Sequence, residues 1–227
     1  DDAELARVNG HCLRLHQVQD LASRYRFLPR VEEQIVGETV AARLEQLFLE
    51  HGPPLVLKRD NGGTLNQAAV DVVLARYWVM PLNSPRQYPP YNGGMERAIR
   101  EVKAPLRRQL HDSGPTPAAE VQHWAERLAY ELNHRPRRVL HDQVACRVFQ
   151  DARPILRAYT LRKRREVFDE INALTWTLLR AQEVCTEPDA ESIRRVAVET
   201  WLQQHGVITV TQNHRVLPLF LKKTAHN

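Results

Sequence analysis

The sequence predicts an α/β domain over residues 1–150 and a mainly helical domain over 151–227 that closes with a short β-hairpin. Three observations predict this. Strand-like segments come first, strand-like and helix-like segments then alternate, and beyond about residue 154 the helical period dominates. The composition agrees: 227 residues, 43% hydrophobic and 26% charged, suit one domain of ordinary size with a smaller one attached.

Each element has its own signal. Leu13, Leu15 and Val18 alternate with polar residues, and Tyr25-Arg-Phe-Leu follows a turn near Asp20–Ser23, which predicts two strands over 10–31. Val40, Ala41, Leu44, Leu47 and Phe48 form one helical stripe over 36–51, ended by Gly52-Pro53-Pro54. Leu55-Val-Leu-Lys-Arg is a short buried-type strand stopped by Asp60-Asn61-Gly62-Gly63. A second stripe (Ala69, Val70, Val73, Leu74, Tyr77) predicts a helix over 66–77, and Val79–Leu82 a strand. Prolines and glycines make 84–94 a loop, either a mobile flap or a fixed surface turn, before a helix over 94–110. Thr116 and Pro117 predict the cap and first position of the next helix. One helical tract follows from about 154 to 185, then a helix from Pro188 to His205-Gly206, then a hairpin around Gln212-Asn213-His214.

No apolar run is long enough to span a membrane. No charged-then-apolar leader pattern is visible at Asp1-Asp2, and the absent initiator Met fits a fragment. Cys12, Cys146 and Cys185 are scattered, which fits a reducing cytosol and argues against a disulfide framework or a cysteine zinc site. Charge is uneven: residues 1–96 balance at −2 and residues 97–227 at +7. A basic half points to a phosphate-bearing partner. Phosphate-binding loops, dinucleotide fingerprints and HExxH are absent.

Three carboxylates stand where chemistry is placed in α/β domains. Asp60 ends a predicted strand, Glu96 lies in the first turn of a helix, and Asp2 lies near an N-terminal strand. Taken singly they have plainer roles, as a turn residue, a partner of the helix dipole and a solvated end. Converging on one face, such groups hold Mg²⁺ or Mn²⁺ beside phosphate oxygens and support in-line displacement at phosphorus.

Asp60-Asn-Gly, 35 intervening residues and Glu96 together resemble the DD(35)E core of retroviral integrases and bacterial insertion-sequence transposases. Asp20-Leu-Ala-Ser23-Arg24 is similar to the family's second-strand motif. Ser84-Pro85 and Tyr91-Asn92-Gly93-Gly94-Met95-Glu96 resemble its loop into the catalytic helix. Asn133-His134-Arg135-Pro136 with Leu140 resembles its tail motif. Asp2 stands 18 residues before Asp20, about where the family places its first catalytic Asp, with Asp1 as the rival. The likeness covers about residues 1–150. It implies an RNase H-like mixed five-stranded sheet flanked by helices, with Asp2, Asp60 and Glu96 as catalytic and metal-binding residues. It further implies cleavage and strand transfer of double-stranded DNA by a homo-oligomer, in a bacterial cytoplasm at the nucleoid. Asp20 matches the motif but reads as structural, fixing the turn.

Arg100, Lys103 and Arg107 follow Glu96 by four, seven and eleven residues and share its helix face. The reading chosen is a carboxylate leading into a cationic stripe for DNA phosphates, over a solvated face. Tyr91 and Arg135 join these as DNA-contact candidates, Tyr91 by stacking on bases. Arg153–Arg165 adds six basic residues and no acidic one. A non-catalytic DNA-binding or assembly protein and a nuclease that only hydrolyses are the alternatives.

Overall fold

Alternation places Leu13, Leu15 and Val31 on the inward face of an antiparallel sheet in the order β1 (Asp2–Val8), β2 (His11–His16), β3 (Arg30–Glu32). This is a computed structural model, and it describes residues 2–8, 11–60, 67–85, 89–114, 116–181 and 187–209. The β1–β2 register runs from Asp2↔His16 to Val8↔His11 and shifts between Glu4 and Ala6, a bulge at Leu5. Behind the sheet pack α3 (Gly93–Ser113) and α4 (Ala118–His134). Val102, Leu106 and Leu110, spaced four apart on α3, join Val121, Ala125 and Leu132 of α4 and the sheet in one core. Full burial of each leucine is worth about 1.5–3 kcal/mol.

A second core lies between α1 (Gly37–His51), α2 (Ala68–Arg76) and a parallel pair, β4 (Val56–Arg59) with β5 (Met80–Asn83). Val40, Leu44 and Phe48 of α1 meet Val70, Val73 and Leu74 of α2 in it. Parallel neighbours need a crossover, and α2 supplies it. The pair runs in register from Val56↔Met80 to Arg59↔Asn83, which brings the C-terminal ends of both strands together.

The expected five-stranded sheet is not formed among the described residues. They hold a three-stranded and a two-stranded sheet, plus the small pair β6 (Pro136–Arg137) and β7 (Gln143–Val144). The bulge offers a physical reason. Arg107 donates to the Leu5 carbonyl at 2.6 Å and the Glu4 carbonyl at 3.4 Å, so a side chain takes β1 carbonyls that another strand would need.

The Asp20 turn has the structural role expected of it. Its carboxylate accepts bonds from the Ser23 amide (2.7 Å) and hydroxyl (2.6 Å), and Arg24 adopts a left-handed φ of 61°. A bridge between Gln19 and Arg26 closes the turn. Arg26 is then gripped by the tail motif. Asn133 Oδ1 accepts its amide at 2.9 Å, and Asn133 Nδ2 donates to its carbonyl at 2.8 Å. The buried Arg26 guanidinium donates to Glu101 of α3, which Arg137 also reaches at 3.1 Å. Burial alone would push the Glu101 carboxyl up. The Arg137 hydrogen bond and the Arg26 charge outweigh it and hold that carboxyl below the usual range. Nearby, burial drives the His16 imidazole down to about 3, so a neutral ring is built into the sheet.

Two local expectations change. Thr116 does not cap α4: its hydroxyl donates to the Gly114 carbonyl at 2.9 Å, and Pro117 holds the cap position instead. The tract from 154 is two helices, α5 (Ala145–Ala158) and α6 (Leu161–Arg180), broken at Tyr159-Thr160. The chain divides into two compact units at this break, Asp1–Thr160 and Leu161–Asn227. α5 stays with the first because Phe149 stacks on Tyr25 (centroids 4.6 Å apart) and meets Phe27 edge-on at 5.4 Å.

In the second unit α6 packs on α7 (Glu187–Gln204), burying Val167, Ile171, Ile193, Ala197 and Trp201. Trp201 Nε1 donates to Glu170 at 2.7 Å. The hairpin expected around Gln212–His214 lies outside the described residues.

Candidate functional site

The 3₁₀ turn Pro89–Asn92 leads directly into α3, with Glu96 exposed in the first helical turn. One helix face carries Glu96, Arg100, Lys103 and Arg107, as the spacing predicts. Opposite it stands the start of β1. Asp2 and Ala3 form one wall of an open cleft of about 430 Å³, and Glu96, Ile99, Arg100, Lys103, Ala104 and Arg107 form the other. Two of the three expected carboxylates, far apart in the sequence, therefore share one cleft with the cationic stripe.

The basic residues are not equivalent. Arg107 is the pin that holds α3 to the β1 bulge through the Leu5 and Glu4 carbonyls. Lys103 lies half-buried, and burial lowers its ammonium pKa; the Arg107 charge adds to this and Glu4 opposes it. Arg100 is exposed. Arg135 is exposed where α4 ends, away from the residues that line the cleft. Arg153, from the other basic cluster, donates to the Glu50 carbonyl at 3.1 Å, and Arg164 is buried.

Asp60 follows β4 directly, at a firmly built strand end. Arg59 Nε donates to Asn83 Oδ1 at 2.7 Å, and its Nη1 pairs with Asp71 at 2.8 Å. The Ser84 amide and hydroxyl both donate to the Arg59 carbonyl at 3.0 Å. Asp60 is half-buried and is not among the side chains lining the cleft; residues 61–66, which follow it, lie outside the described residues. A tether joins this strand to the turn before Glu96. Lys58 Nζ donates to the Tyr91 carbonyl and sits 3.7 Å from the centre of the Tyr91 ring. Ser84 Oγ lies 2.8 Å from Asn92 Oδ1. Of the two readings of loop 84–94, these contacts favour the fixed turn over 89–92. Tyr88 lies outside the described residues, as does Asp1.

Asp2 already has a partner: Arg14 Nη2 lies 2.9 Å from its carboxylate. Sequence reasoning missed both Arg14 and Lys58. Arg14 reaches Asp2 only through the β1–β2 register, which the sequence pattern does not fix, whereas the position two residues before Asp60 was an available signal for Lys58.

All three carboxylates are hard oxygen donors of the kind Mg²⁺ and Mn²⁺ take, and two line one cleft. The donor chemistry of Asp2 and Glu96 in the cleft fits a divalent cation, and Asp60 is not among the cleft residues. Among the described residues no group of three His, Cys, Asp or Glu side chains is close enough to hold a metal ion.

No protein-family model matches the sequence, and no curated protein matches it. Among solved structures, the chain is similar to the HTLV-2 integrase catalytic core domain in complex with magnesium, trimeric form. The identity is 18%, the TM-score 0.51, and the match covers 66% of this chain and 92% of that one. It is similar to the BIV integrase catalytic core domain at 17% identity and a TM-score of 0.51, over 67% of this chain and 91% of that one. A chain from the simian T-cell lymphotropic virus intasome, solved with a PP2A regulatory subunit, matches at 17% identity and a TM-score of 0.51. There the match covers 59% of this chain and spans only 46% of the other. No helix among the described residues is long and apolar enough to cross a membrane. At these identities the likeness is one of architecture alone: over about two-thirds of its length this chain has a mixed α/β, integrase-core-like fold.

Proposed function

We propose that the first unit is an RNase H-like DDE transposase or integrase core that cleaves DNA and transfers the cut strand. The observation that carries this reading is the meeting of Asp2 and Glu96 on one cleft, whose wall continues as Arg100 and Lys103. Asp2, Asp60 and Glu96 are the residues that would hold Mg²⁺ or Mn²⁺. Such ions, when bound, polarise the scissile phosphate and activate the attacking oxygen. The chain's own groups do the rest. Arg100 and Lys103 hold the DNA backbone along α3, Arg107 fixes that helix to β1, and Lys58 ties the Asp60 strand to the Glu96 turn. Tyr91 is a turn anchor first and a base contact only if Lys58 releases it, and Arg135 contributes backbone affinity from the edge of the domain. Two DNA ends must be held together for transfer, so the working form is a homo-oligomer on double-stranded DNA.

A second reading, a non-catalytic DNA-binding or assembly protein, is favoured by one observation: the Asp2 carboxylate is ion-paired to Arg14. One assay separates the readings. Purified protein is given Mn²⁺, a short labelled duplex and a supercoiled plasmid. The proposal expects labelled strands joined to plasmid. Binding without cleavage supports the second reading, and cleavage without joining supports a simple nuclease.

A further inference from the structure

Resting on the proposed function, we propose that Arg14 is the resident counter-cation of the cleft. It holds the Asp2 carboxylate when no metal is present and yields it to an entering divalent cation, so it sets the metal affinity of the site. The pair is asymmetric in burial. Asp2 is only 13% exposed, so its carboxylate has little water around it and requires a cationic partner. Arg14 is 37% exposed, so its guanidinium can return to water on a flexible stem. The pair opens from the Arg14 side.

Arg14 also has other partners at hand. On the central strand β2 it stands opposite Glu4 of β1 and Glu32 of β3. Directly opposed side chains on neighbouring strands lie within contact range. On leaving Asp2 the guanidinium stays within reach of the Glu32 side of the sheet and of water, which lowers the cost of release. A divalent ion carries twice the charge of Arg14 and draws on Glu96 across the cleft as well, so it wins Asp2 once it is present. Until then, Arg14 keeps an almost buried carboxylate compensated.

The test is direct Mn²⁺ binding, read from the electron paramagnetic resonance of free Mn²⁺, without DNA. Arg14→Gln is expected to bind Mn²⁺ about 5-fold more tightly than the unaltered chain, the scale of a partly exposed ion pair removed. Arg14→Lys, which keeps the charge, stays near the unaltered affinity. In an Asp2→Asn background Arg14→Gln brings no gain. Equal or weaker binding by Arg14→Gln, with binding still dependent on Glu96, overturns the Arg14 role and leaves the proposed function standing. Mn²⁺ binding indifferent to Glu96→Gln removes the proposed function and this inference with it. Should Arg14→Gln not fold, the unaltered chain labelled with ¹⁵N-arginine decides. The Arg14 Nε resonance must shift with the Mg²⁺ binding curve, and a resonance that stays in place overturns the inference.

Discussion

On the proposed function, Asp60→Asn and Glu96→Gln are each expected to reduce strand cleavage by at least about 100-fold, because each would remove a charged metal ligand and leave the side-chain shape intact. Duplex affinity is expected to change by less than about threefold, since the proposal assigns phosphate contact to Arg100 and Lys103 rather than to the carboxylates. Glu96 is exposed in the first turn of α3, so its amide is accommodated within about 0.5 kcal/mol of stability. For Glu96→Gln, loss of cleavage therefore reports chemistry and not unfolding. Single-turnover cleavage in Mn²⁺, with binding measured by anisotropy on the same duplex, checks both halves. Cleavage retained by either variant contradicts the triad.

Glu101→Ala lowers the stability of the first unit by about 3 kcal/mol, the scale of a buried ion pair broken from one side. The reason is the position of Arg26. Its guanidinium side chain is 1% exposed, and Glu101 is its anionic partner, with Arg137 on the same carboxylate. Removing Glu101 leaves two guanidinium groups facing each other at the joint between the turn motif, α3 and the tail motif. Asn133→Ala costs about 2 kcal/mol by a different route, since the buried Arg26 amide and carbonyl both lose their partner. The exposed pair Arg127–Glu131 serves as the control: Glu131→Ala changes stability by no more than about 0.5 kcal/mol. Urea unfolding of the three variants gives the ranking, and equal losses at Glu101 and Glu131 contradict the assignment of Arg26 as a buried charge.

The helices were legible because their apolar stripes recur at a fixed period. Val40, Leu44 and Phe48, or Val70, Val73 and Leu74, announce a buried face before any partner is known. The Asp20 turn was legible for the same reason: the carboxylate bonds to an amide three residues on, so its chemistry is local. Long-range polar pairing was not. Arg107 has the same spacing from Glu96 whether it meets a phosphate or the Leu5 carbonyl, and only the approach of β1 decides. The Arg14–Asp2 pair likewise depends on a strand register that periodicity does not fix. Sheet continuity depends on whether a distant side chain takes the carbonyls of a bulged edge, which no single segment encodes. At the site, the Glu96 stripe was readable from helical geometry. Its meeting with Asp2 was expected only through resemblance, and the occupation of Asp2 by Arg14 was missed.

On the proposed function, Asp2, Asp60 and Glu96 gather around divalent cations. Diffraction from crystals soaked in Mn²⁺, recorded where manganese scatters anomalously, tests it most directly. The expected result is an anomalous peak coordinated by carboxylate oxygens of Asp2, Asp60 and Glu96, with Arg14 withdrawn from Asp2. A saturated crystal with no peak in the cleft, or with a peak that Asp60 does not reach, contradicts it.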